Sequence, residues 1–133
     1  MNAIPKTHIA IDRTLTQDDF DAFAALSGDD NPIHVDPTFS ARTNFGRTVS
    51  HGMLLYTILR GLADQLAPGA RQVSQELKFP APAYAGEPIR FEASLTEHNS
   101  SHWSVTMRAT RTHDQTSVCE GLCILESTQR RAQ

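Results

Sequence analysis

Between Ser27 and Pro37 the chain reads SGDDNPIHVDP. Asp29 and His34 lie five residues apart, with Asn31-Pro32 between them. A carboxylate and an imidazole turned toward one spot can hold a water between them and move protons to and from a substrate near neutral pH. Pro32 disfavours the helical region for Asn31, so helix geometry does not set the two side chains and a fixed turn has to aim them. The same residue types also build plain turns. Asp29 could cap a backbone N–H, and His34 could be a satisfied buried side chain.

A second feature lies seventeen residues after His34, where Ser50-His51-Gly52 opens a long apolar segment. A helix N-terminus offers free backbone N–H groups and the positive end of the dipole. Gly52 there lets a ligand approach the backbone closely. That suits a carbonyl oxygen gaining negative charge during a reaction. The plainer reading of Gly52 is a tight turn into the helix.

The elements that must hold these residues are legible from period and caps. HIAIDRT (8–14) reads as a first strand. Thr16 then has the look of an N-cap, with Asp18 and Asp19 in the first turn and Leu15 placed to staple to Phe20. Phe20, Phe23, Ala24 and Leu26 follow helical spacing, and Gly28 ends the helix. DPTFSART predicts a short helix with Asp36 as N-cap and Pro37 as its first residue. GMLLYTILRGLADQLAPG is apolar nearly all round, which predicts a buried helix that Pro68 and Gly69 stop.

Four strands follow. In RQVSQELKF, Val73, Leu77 and Phe79 share a face. PIRFEASLT and WSVTMRAT alternate apolar and polar residues, and SVCEGLCIL is apolar on both faces, as a central strand would be. Turn-rich segments such as EHNSSH and THDQTS separate them. The order predicts a single α+β domain over 1–133: an antiparallel sheet wrapped round one long buried helix, the hot-dog arrangement. Its edge strands need cover, so at least a homodimer is expected.

Composition excludes several function classes. The chain has 133 residues, 39% of them hydrophobic, with a net charge of -3; that is one domain with a real core. No long basic run points to nucleic acid, and no apolar run is long enough to span a membrane. The N-terminal MNAIPKTHIAIDRT has no continuous apolar stretch of the kind a signal peptide needs, and the cytoplasm is the expected compartment. Cys119 and Cys123, four apart in a strand, would face the same way about 13 Å apart, too far for a disulfide. Without a His or Cys pair at ligand spacing they are weak as a metal site and are expected to be small buried residues.

FAALSGDDNPIH, followed by DPTFSA, VSHGML and LKFPAPAYAGEPI, resembles the MaoC-like, (R)-specific enoyl-CoA hydratase family (hydratase 2). The resemblance covers about residues 8–125, and the D-x-N-P-x-H element with a downstream H-G is fairly specific. It implies a hot-dog dimer that takes an acyl-CoA toward the buried helix, with no metal and no cofactor. It implies catalytic roles for Asp29 and His34, a backbone N–H of Gly52 on the thioester carbonyl, and turn-holding roles for Asn31 and Pro32. Asp30 falls at the family's variable position. The reaction implied is reversible hydration of a trans-2-enoyl thioester to an (R)-3-hydroxyacyl thioester.

Arg60 departs from the family pattern, since several relatives carry a small residue there. It is about 80° round the helix from Gly52, near the face of Tyr56 and Ala63. It either snorkels outward or narrows the acyl pocket, and in the second case it favours a short or carboxylated acyl chain. Tyr56, Arg60 and His51 are therefore candidate pocket residues. Arg47, Lys78 and Arg90 are candidates for the phosphates of CoA. Three other readings share this frame: a 3-hydroxyacyl-acyl-carrier-protein dehydratase, a hot-dog thioesterase attacking the carbonyl carbon, and a non-catalytic subunit that binds acyl thioesters. The Asp29/His34 pair argues against the last two.

Overall fold

Caps and breakers place the first half of the chain. The computed structural model describes residues 7–97 and 99–127. Met1–Lys6 of the stretch read for a leader, His98 of the EHNSSH turn and the residues after Ser127 lie outside them. β1 is His8–Thr14, followed by α1, Gln17–Ser27. Thr16 caps α1: its Oγ1 accepts from the Asp19 N–H, and its own N–H donates to the Asp19 carboxylate, a reciprocal capping box. Gly28 closes α1 in the left-handed region (φ 83°), its N–H donating to the Ala24 carbonyl. Leu15, Phe20 and Ala24 are buried, but Leu26 is 85% exposed. Leu26 is six residues on from Phe20, about 240° round the helix, so it faces away from the core.

Two one-turn helices follow, α2 (Pro32–Val35) and α3 (Pro37–Ser40). Asp36 caps α3 with Pro37 as first residue, as expected. The sequence reading missed α2. Asn31 is extended (φ -53°, ψ 133°), as a residue before proline should be, yet its side chain caps the turn that begins at Pro32. His34 therefore sits inside a helical turn.

α4 is Gly52–Leu66. Leu55, Leu59, Leu62, Ala63 and Leu66 form one buried stripe at helical spacing, which packs chiefly on the third strand in chain order, β3 (Pro88–Glu97). The helix is not buried all round within the chain, because Met53 is 51% exposed on the opposite side.

With β2 (Arg71–Lys78), β4 (His102–Arg111) and β5 (Ser117–Glu126), the sheet has the order β1-β3-β4-β5-β2, and every neighbouring pair is antiparallel. It curves over α4 without closing into a barrel. Ile89, Phe91, Ala93 and Leu95 of β3 turn inward in strict alternation, as do Val105, Met107 and Ala109 of β4. Cys119 and Cys123 are free thiols in the core. Burial pushes the Cys119 thiol up to about 11 and raises that of Cys123.

β2 departs from simple alternation. A bulge between Gln72 and Ser74 leaves Val73 without a partner on β5. Val73 and Phe79 are each 47% exposed, so they do not share a buried face with Leu77. The bulge turns Gln72 inward instead.

Candidate active site

Asp29 is the first residue after the left-handed Gly28, which swings the chain out of α1. Its N–H donates to Ser27 Oγ (3.1 Å). Asn31 then starts α2, its Oδ1 accepting from the Ile33 N–H (3.0 Å). These local bonds bring His34 Nε2 to 3.8 Å from Asp29 Oδ2. That distance is too long for a direct hydrogen bond and close enough for one water to bond both.

The orientation of His34 is fixed from the other side. Its Nδ1 lies 2.8 Å from the Val49 carbonyl. A carbonyl only accepts, so Nδ1 carries a hydrogen, and in the neutral ring Nε2 presents its lone pair toward Asp29. Val49 is itself clamped. Its N–H donates to the Ile33 carbonyl (3.0 Å), and the next N–H, of Ser50, donates to the Ala83 carbonyl (2.7 Å). Gln17 completes the frame: its Nε2 donates to the His34 carbonyl (2.9 Å) while its Oε1 accepts from the Thr48 hydroxyl (2.6 Å). Neither Gln17 nor Thr48 was singled out from the sequence. They are 31 residues apart, and no local pattern joins them.

The N-terminus of α4 faces this pair across a cavity of about 540 Å³, lined by Asp29, His34, His51 and Gly52 on its polar side. Phe45, Met53, Phe79 and Val118 contribute the apolar wall, with the Pro80–Ala83 stretch between them. His51 is the N-cap of α4 but gives no side-chain cap bond. The Leu54 N–H turns back to the His51 carbonyl (3.2 Å), which leaves the Gly52 amide at the head of the helix for whatever enters. Gly52 also has a packing reason to be glycine, because a Cβ there would lie 2.7 Å from the Phe79 ring.

Asp29, His34 and His51 hold potential ligand atoms within 4.8 Å of one another. The two imidazole rings are stacked, their centroids 3.9 Å apart and their planes only 24° from parallel. Planes so placed meet far beyond the ~2.1 Å of a metal–imidazole bond, so the two rings cannot share an ion. The arrangement suits proton handling.

The family model described as MaoC like domain matches residues 2–117. The chain belongs to the MaoC-like family. An (R)-specific enoyl-CoA hydratase of Aeromonas caviae is 44% identical over 77 residues, which is 56% of this chain and 58% of that enzyme, so the aligned stretch spans little more than half of the relative. An (R)-specific enoyl-CoA hydratase of Rhodospirillum rubrum is 35% identical over 111 residues, 82% of this chain and 77% of that one. Among solved structures, the (R)-hydratase from A. caviae involved in PHA biosynthesis superimposes with a TM-score of 0.83 at 28% identity, covering 93% of this chain and 96% of that one.

Not every candidate converges on the MaoC-like pocket. Tyr56 and Arg60 meet instead at Gln72, whose Oε1 accepts from Tyr56 Oη (3.1 Å) and from Arg60 Nε (2.7 Å). Gln72 is available to them because the bulge in β2 turns it inward. Arg47 donates to the Ala85 carbonyl, pairs with Glu87 (3.3 Å) and lies over the Tyr84 ring. Lys78 is exposed at the end of β2, one residue before the wall residue Phe79. Arg90 alternates with the buried Ile89 and Phe91, so it lies on the outer face of the sheet, paired with Asp12 (3.4 Å). The structure does not bring Arg90 to the pocket.

Proposed function

We propose that this MaoC-like chain adds water reversibly across the C2=C3 bond of a trans-2-enoyl-CoA, giving an (R)-3-hydroxyacyl-CoA. The observation that carries the reading is the Asp29/His34 pair, 3.8 Å apart, facing an uncapped helix N-terminus across one pocket. The thioester carbonyl takes the Gly52 N–H, which polarises the enoyl system and stabilises charge that builds on the oxygen. A water donates one hydrogen to Asp29 and the other to His34 Nε2, and so aims its oxygen at C3. As the C3–O bond forms, the water loses a proton to the pair, with Asp29 as base. The pair returns a proton to C2 on the same face. Dehydration is the same path in reverse.

The carrier proposed is CoA. Arg47 and Lys78 remain candidates for its phosphates because both lie beside the segments that wall the pocket. A short or carboxylated acyl chain is proposed; Arg60, held through Nε by Gln72 outside the pocket lining, would have to swing from Gln72 to meet its far end. A homodimer is proposed through a sheet edge; β2, with exposed Val73, is the edge that most needs cover.

Loss of enoyl absorbance from crotonyl-CoA tests the reaction. Release of free thiol from an acyl-CoA marks a thioesterase instead, and preference for a carrier-protein thioester marks the other handle. Arg60→Ser should shift the ranking of crotonyl, octenoyl and mesaconyl thioesters; an unchanged ranking removes Arg60 from selection.

A further inference from the structure

His51 makes an unusual N-cap. Ser, Thr, Asp and Asn are the usual choices because their oxygens accept from the first turn, whereas His51 makes no such bond and is only 2% exposed. Its Nε2 lies 2.8 Å from the Asp29 carbonyl, 22 residues away. The carbonyl only accepts, so Nε2 carries the hydrogen. One face of the ring stacks on His34 at 3.9 Å, and Phe23 meets the ring edge-on at 4.9 Å. Nδ1 is left buried with no hydrogen-bond partner among the described residues. An apolar side chain would fill this space without orphaning a polar atom, which normally costs stability. It could not hold the peptide of Asp29.

That peptide needs holding. The Asp29 side chain is 57% exposed, and its other hydrogen bonds run to Ser27 and Asn31 within the same turn. Among the described residues, the bond from His51 is the one that ties Asp29 to the head of α4. The same ring forms the platform under His34. We infer that His51 is a positioning residue: one imidazole sets the backbone of Asp29 and the ring plane of His34, and so keeps Oδ2 and Nε2 in register over the pocket. This rests on the hydratase reading for its kinetic consequence and not for its structural one.

The test compares His51→Leu, which fills the space without a donor, with His51→Gln, whose amide nitrogen takes the place of Nε2. Two quantities are read: the backbone order parameters of Asp29–Asn31 from nitrogen relaxation, and kcat and KM with crotonyl-CoA. In His51→Leu the order parameters should fall toward the flexible range, below about 0.6. kcat should drop roughly 100-fold, the scale of a ~1 Å misplacement, with KM little changed. His51→Gln should recover most of both. The inference is overturned by a folded His51→Leu with an ordered turn or parental kcat, by a loss carried in KM alone, or by a Gln variant as impaired as Leu. If His51→Leu does not fold, His51→Asn replaces it: the shorter amide cannot reach Asp29, and equal kcat for Asn and Gln overturns the role. A parent that hydrates no enoyl thioester refutes the functional reading, and the order parameters then decide the role of His51 alone.

Discussion

Asp29 Oδ2 and His34 Nε2 lie 3.8 Å apart although different devices hold them. Asp29 is aimed by the left-handed Gly28 that ends α1, and His34 by a one-turn helix that Asn31 caps. The pair is only as good as the turn between them.

Asn31→Ala removes the cap of α2. Such losses cost about 1 kcal/mol, which a urea midpoint should show. The larger effect should be on kcat, because His34 rides on the turn that Asn31 starts.

Gln17→Ala cuts an exposed bond to the Asp21 carboxylate and two part-buried ones, to the His34 carbonyl and from the Thr48 hydroxyl. Leaving these partly buried groups unpaired should cost about 1–3 kcal/mol, read by chemical unfolding. Gln17→Glu should fail too, since a carboxylate accepts from Thr48 but cannot donate to His34.

Gly52→Ala should lower kcat/KM by forcing the Phe79 ring off the N-terminus of α4, which it approaches within 2.7 Å of the new Cβ. Phe79→Ala in the same chain makes room. If the double variant recovers activity relative to Gly52→Ala, the clash is the cause; if it does not, Gly52 matters through close approach of the substrate.

Cys119 gives a pH dependence with a definite sign. Its thiol is raised from 9.0 to about 11 in the folded chain by burial. Between those values the unfolded chain loses the proton and the folded chain keeps it, so unfolding becomes easier as pH rises. The stability this thiol contributes is intact below about pH 9 and falls toward pH 11. Cys119→Ala should flatten that part of a stability–pH curve relative to the parent, measured by urea unfolding at a series of pH values.

Much of this was legible because the signals are local. Thr16, Gly28, Asp36 and Pro37 announce their caps within a few residues. Ile89 to Leu95 and Val105 to Ala109 alternate cleanly, because each strand has one face on the core. Asp29, His34 and Gly52 stood out by type and spacing. The rest needed the third dimension. α2 hid behind an Asn-Pro pair that reads as a loop. The bulge turned Val73 outward while Leu77 stayed against the core, and it brought Gln72 inward to Tyr56 and Arg60, which no spacing rule foretells. Gln17, Thr48 and the bond from His51 to Asp29 join segments distant in the chain and have no periodic signature.

The most direct measurement is turnover of crotonyl-CoA by the parent, Asp29→Asn, His34→Ala and the double variant, followed by enoyl absorbance. Activity in the parent should fall as pH drops, because a protonated pair leaves neither Asp29 Oδ2 nor His34 Nε2 free to accept from the water. Each single variant should lose at least ~100-fold in kcat. The double variant should be little worse than either single, because groups that act as a unit are not additive. Equal turnover in all four proteins would contradict the central claim that Asp29 and His34 together activate the water.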